Sequence, residues 1–282
     1  MMPVKHVFLR GLGGCLVLVM LGLFLAGYWH LFHARYFTNI ENSAAVYEQI
    51  SLRFYESKPV EKVPRWIAFI YEYELVQPDT PIDPVAFFYA EIFKQYPDKL
   101  EEWIKIIDSF SDRPGQRLFW TALWLSNTEK GREYLEQQYD SGASGQKQWL
   151  IQALAQTPSD LISIQPTTPE DNDVIWGAFF ASGDAAYVIN LINVACLYDG
   201  SDDYLRFITA ASAKWSLAAN AFRHISVKRT LKAEAGKRQG VDKNVVLRIL
   251  KLSEQPDGAA ILFEETRQII REKQSRGLWL DQ

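Results

Sequence analysis

The chain has 282 residues, of which 48% are hydrophobic and 23% charged, an ordinary globular composition that excludes wholesale disorder. Its two cysteines, Cys15 and Cys196, lie far apart in dissimilar surroundings and exclude a disulfide framework. The net charge of −4 is unevenly spread: residues 36–222 carry 14 Lys/Arg against 26 Asp/Glu, whereas residues 223–251 carry nine Lys/Arg against only Glu234 and Asp242.

Residues 1–10 form a short basic tail holding Lys5 and Arg10. Gly11 to Trp29 (GLGGCLVLVMLGLFLAGYW) then contains no charged residue. As a helix this stretch approaches the roughly 30 Å hydrocarbon core of a bilayer. Tyr28, Trp29, His30, His33 and Arg35 follow it as an interfacial belt would. No small-x-small cleavage site follows, because Phe32 occupies the third position before a cut after Ala34. Cys15 is no lipobox cysteine, since the apolar run lies after it. Residues 11–32 are therefore expected to be a retained single-pass transmembrane anchor. The positive-inside rule puts the tail in the cytoplasm and the domain outside, periplasmic in a Gram-negative cell.

Residues 36–282 are expected to form an all-helical domain. Turn signals at Lys58-Pro59, Gln77-Pro78-Asp79, Tyr96-Pro97-Asp98, Arg113-Pro114-Gly115, Thr157-Pro158, Gly200, Gly236 to Gly240 and Gln255 to Gly258 separate segments of helical periodicity. Leu100, Trp103, Ile104, Ile107 and Phe110 share one helix face, and Val241, Val245, Ile249 and Leu252 share another. Thr168-Pro169-Glu170-Asp171 supplies an N-cap, a proline at the first helical position and acids in the first turn. Ser201-Asp202-Asp203 announces the next long helix in the same way. That helix is rich in alanine (Ala210, Ala211, Ala213, Ala218, Ala219, Ala221), which predicts a closely packed central position. No stretch alternates with period two, so no strand is predicted.

The fold class is thus all-α, an N-terminal transmembrane helix plus a multi-helix bundle or α-solenoid of helical hairpins. The solenoid option rests on an internal similarity at an offset of 56: Trp120, Ala122, Ser126 and Leu135 align with Trp176, Ala178, Ser182 and Leu191. The stretches Trp176 to Asp184 and Trp215 to His224 resemble a group of uncharacterised bacterial proteins built from an N-terminal hydrophobic segment and a helical domain. The resemblance covers about residues 95–230. It implies architecture and no activity.

No catalytic constellation emerges. The chain lacks Gly-x-Ser-x-Gly, His-Glu-x-x-His, a phosphate-binding loop and a dinucleotide fingerprint. His6, His30 and His33 belong to the tail and the membrane border, and His224 closes the alanine-rich helix. No metal, cofactor or nucleic acid is implied, because the histidines lack companion ligands and the basic residues lack interleaved aromatics. Cys196 follows Val194-Ala195 and is expected to be buried and inert. Glu101-Glu102, Asp171/Asp173 and Asp202-Asp203 sit at helix starts, where carboxylates commonly serve the helix dipole. The expected function is a membrane-anchored helical interaction or scaffold module for a protein partner. Its contact residues are expected to be Arg223, Lys228, Arg229, Lys232, Lys237 and Arg238, meeting lipid headgroups or an acidic partner. The alternative is a cell-envelope hydrolase of helical fold using a Glu or Asp acid.

Overall fold

The computed structural model describes residues 51–72, 75, 83–110, 115–141 and 147–279. The basic tail and the expected anchor at 11–32 lie outside them. Every regular element among the described residues is helical. None of these helices is long and apolar enough to cross a membrane. The described residues cluster into two compact units: 51–164 with Val174–Gly183, and Gln165–Asp173 with 184–279.

The N-terminal unit holds α1 (Phe54–Ser57), α2 (Val63–Glu72), α3 (Asp83–Gln95), α4 (Leu100–Ser109), α5 (Gln116–Leu125), α6 (Glu129–Asp140) and α7 (Lys147–Leu154). It also holds all but the start of α8 (Pro169–Ser182). Helix α3 packs against α5, α4 against α2 and α6, and α6 against α5 and α7. The core is largely aromatic. Phe54 meets Trp66 and Phe88 edge-on, Tyr89 meets Phe119, and Tyr71 stacks on Phe110 with ring centroids 4.8 Å apart. Offset and edge-on rings add attraction beyond the area they bury. The face expected for α4 is oriented inward, with Leu100, Trp103 and Ile107 buried and Ile104 and Phe110 partly so.

The segments of the internal similarity take matching outlines. Helix α5 leads through a turn into α6, whose N-cap Thr128 accepts from the Gly131 N–H. Helix α8 leads through Gly183 into α9 (Ala185–Leu197), whose N-cap Asp184 accepts from the Ala186 N–H at 2.8 Å. Trp120 and Trp176 are both fully buried. The second copy, however, is divided at Gly183 between the two units.

Two glycines of α8 are dictated by their neighbours. Gly183 ends the helix at φ 72°, a left-handed conformation natural to glycine, and a Cβ there would press on the Tyr55 ring. Gly177 lies against the Pro84 backbone at the start of α3, and a Cβ there would overlap the Pro84 carbonyl oxygen.

The C-terminal unit holds α9, α10 (Tyr204–Arg223), α11 (Ile225–Lys237), α12 (Gly240–Leu252) and α13 (Gly258–Ser275). Helix α10 packs against all four others. Seven consecutive residues of α10, Phe207 to Ala213, are buried, so that stretch is covered on every side. Asn172, fully buried, donates from Nδ2 to the Thr209 carbonyl at 2.9 Å. Near the chain end, Trp279 donates from Nε1 to the Asp202 carbonyl and packs its ring on Phe207 and Tyr204.

Helix starts follow the sequence closely at α8. Thr168 Oγ1 accepts from the Asp171 N–H, and Asp171 Oδ2 in return accepts the Thr167 and Thr168 N–H groups at 2.7 and 2.9 Å. This is a reciprocal capping box. At α10 the cap is Asp203, which accepts from the Arg206 N–H, while Ser201 braces the preceding turn by accepting from the Asp203 N–H.

Gly177→Ala is expected to lower thermal stability by about 1–3 kcal/mol, because the Pro84 backbone must move. Gly236→Ala, in α11 with open space around it, is expected to raise stability by about 0.5–1 kcal/mol through helix propensity alone. Thermal unfolding of the two variants beside the parent checks the contrast in sign.

Candidate functional site

The expected contact residues run from the end of α10 through α11. Val227, Leu231, Glu234 and Ala235 are the buried residues of α11. At helical spacing this places Ile225, Arg229 and Lys232 together on the opposite, exposed face. The corner between α10 and α11 is pinned by His224, which is buried with an extended backbone. On either side of it, Phe222 and Ile225 point outward, 54% and 78% exposed.

The six residues divide by environment. Lys237 and Arg238 are turned to the molecule's own acid, with Lys237 Nζ 2.9 Å and Arg238 3.2 Å from the buried Glu234 carboxylate. The Lys237 hydrogen bond outweighs burial and holds that carboxyl below the usual range, with Arg238 adding to the effect. Arg238 also reaches Asp242 and Asn193. Lys228 pairs with Glu254 at 3.2 Å. Arg223 is exposed at the last turn of α10. Arg229 and Lys232 are exposed and form no ion pair among the described residues. Helix α12 repeats the pattern, with Lys243, Leu247 and Lys251 exposed along one stripe.

Two apolar residues escaped the sequence reading. Phe222 and Ile225 belong to helices expected to bury their apolar side chains. A signal was present for Ile225, which shares its face with Arg229 and Lys232 at i+4 and i+7 and opposes Val227 and Leu231. Val241, expected on the inner stripe of α12, is 68% exposed, because the helix starts at Gly240 and its first turn projects past the core.

The acidic pairs separate into structural roles and one exception. Glu101 pairs with Lys105 and Lys130, Asp171 completes the α8 capping box, Asp202 pairs with Lys273, and Asp203 caps α10. Asp173 is instead buried within α8. Burial, with a smaller contribution from the Glu170 charge, pushes its carboxyl up from 3.8 to about 8. A cavity of about 140 Å³ in the C-terminal unit is lined by Phe207, Ala211, Lys214, Leu262, Glu265 and Lys273, and Asp173 does not line it. Its cations are already engaged, Lys214 with Asp199 and Lys273 with Asp202.

Cys196 is half-buried rather than fully enclosed, with Sγ 3.8 Å from the Asp242 carbonyl. Burial raises its thiol, so it lacks the thiolate character of a nucleophile. Among the described residues, no group of three or more His, Cys, Asp and Glu is arranged to hold a metal ion. His6, His30 and His33 lie outside those residues. No family model, curated protein or solved structure matches the chain.

The buried carboxyl sets a pH dependence. Between about pH 4 and pH 8 the unfolded chain has released the Asp173 proton while the folded chain still holds it. This group's contribution to stability therefore falls as pH rises through that window. Asp173→Asn is expected to flatten that slope and to raise stability at pH 8 by on the order of 1–3 kcal/mol. Urea titrations of both proteins at pH 5 and pH 8 check it.

Proposed function

We propose that the chain is a membrane-anchored helical interaction module. Residues 11–32 form its single transmembrane anchor, and the helical domain lies outside the cytoplasm, where it retains a protein partner near the bilayer. Residues 36–282 act in this reading as a bundle or solenoid of helical hairpins presenting a partner surface. The observation that carries the reading is the outward face of α11 and α12. There Arg229, Lys232, Lys243 and Lys251 are exposed and form no ion pair among the described residues. Own-fold neutralisation accounts for Lys237 and Arg238 but leaves these four cations open to acidic groups elsewhere.

A second reading, an envelope hydrolase, is favoured by one observation, the raised carboxyl of Asp173. The acid does not line the cavity of about 140 Å³ whose lining includes Phe207, Lys214 and Lys273.

The test is chemical crosslinking of the full chain in its native membrane, followed by purification in mild detergent. The parent protein should bring down a defined partner. Reversal of Arg229, Lys232, Lys243 and Lys251 to Glu should reduce the yield about tenfold or more, whereas Asp173→Asn should leave it unchanged. Undiminished capture by the fourfold variant would contradict the basic face.

A further inference from the structure

The corner of α10 and α11 adds to Arg229 and Lys232 two exposed apolar side chains that the interaction reading does not use. Phe222 and Ile225 are large apolar side chains exposed at a turn, three residues apart, with the buried His224 fixing the backbone between them. Behind them on the same α11 face stand Arg229 and Lys232, one and two helical turns further on. Two apolar side chains are far too small a patch for a stable protein interface, which needs some 800 Å² from each partner. The interfacial zone of a bilayer has no such requirement. It accepts single aromatic and aliphatic side chains at the level of the acyl boundary, while long cationic side chains behind them reach the phosphates.

We propose that this corner is a membrane-contact surface: Phe222 and Ile225 enter the interfacial zone of a bilayer whose anionic phospholipid headgroups are bound by Arg229 and Lys232. The occupant follows from charge complementarity. The local excess of cations matches anionic lipid, and each cation near such a surface strengthens partition about fivefold. The proposal rests on the anchored reading, because residues 11–32 would hold the corner near lipid at high effective concentration. The contact engages Arg229 and Lys232 and leaves the exposed α12 stripe of Lys243, Leu247 and Lys251 for the protein partner.

The test uses the full chain, with Cys15 and Cys196 replaced by Ser, reconstituted into vesicles of phosphatidylcholine alone or mixed with phosphatidylglycerol. A spin label is placed by Ile225→Cys, with Ala260→Cys, exposed on α13, as the control position. In vesicles containing phosphatidylglycerol, the label at 225 should become about fivefold less accessible to a water-soluble relaxation agent and more accessible to oxygen. The label at 260 should stay water-exposed. R229E/K232E should restore water access at 225. A label at 225 that stays wet in both lipids overturns the proposal, as does equal shielding in neutral lipid. Alkaline carbonate extraction of the same vesicles separates the two failures. A chain released by carbonate refutes the anchor, whereas a retained chain with a wet label refutes the contact surface alone.

Discussion

The C-terminal unit depends on one constraint: α10 must be covered on every side along Phe207 to Ala213. A helix can be so enclosed only if its side chains are short enough for neighbouring backbones to come close, and five of these seven residues are Ala, Ser or Thr. Enclosure also obliges its polar groups to find partners within the unit. Thr209 donates its hydroxyl to the Leu205 carbonyl at 2.6 Å, and Asn172 donates to the Thr209 carbonyl. Four helices are thereby fixed around α10, and the orientation of α11 follows. Its buried stripe of Val227, Leu231 and Ala235 is committed inward. Ile225, Arg229 and Lys232 are left to face out.

The same constraint explains why the basic residues do not act as a block. Where the inner side of α11 nears its end, burial of Glu234 draws Lys237 and Arg238 toward it, since a buried carboxylate without cations would be costly. On the outer side, Arg229 and Lys232 form no ion pair among the described residues. One run of like charge in the sequence thus becomes an internal neutralising cluster and an outward face, with different consequences for function.

Much of the fold was legible in the residues. The reciprocal cap at Thr168 and Asp171, the inward stripe of α4 and the central position of the alanine-rich helix all follow from local pattern. Other features depend on tertiary context that periodicity does not carry. One crossing between the units falls between Asp173 and Val174, inside a helix that continues unbroken, so no turn residue marks it there. Asp173 looks like another helix-start acid until the packing around it shows it buried. Phe222 looks like core because it follows Ala221, yet Ala221 is buried and Phe222 is exposed beside it. Val241 fits the spacing of its stripe but sits in a first turn beyond the core.

The proposed position of the basic α11 face beside a bilayer rests on the uncharged stretch Gly11 to Trp29. Paired reporters fused to the C-terminus of the full chain test it most directly, one active only in the cytoplasm and one only outside. The account predicts that the external reporter is active and membrane-bound, and that this is lost when residues 11–29 are removed. A cytoplasmic reporter that is active and released in the soluble fraction from the full chain would contradict it.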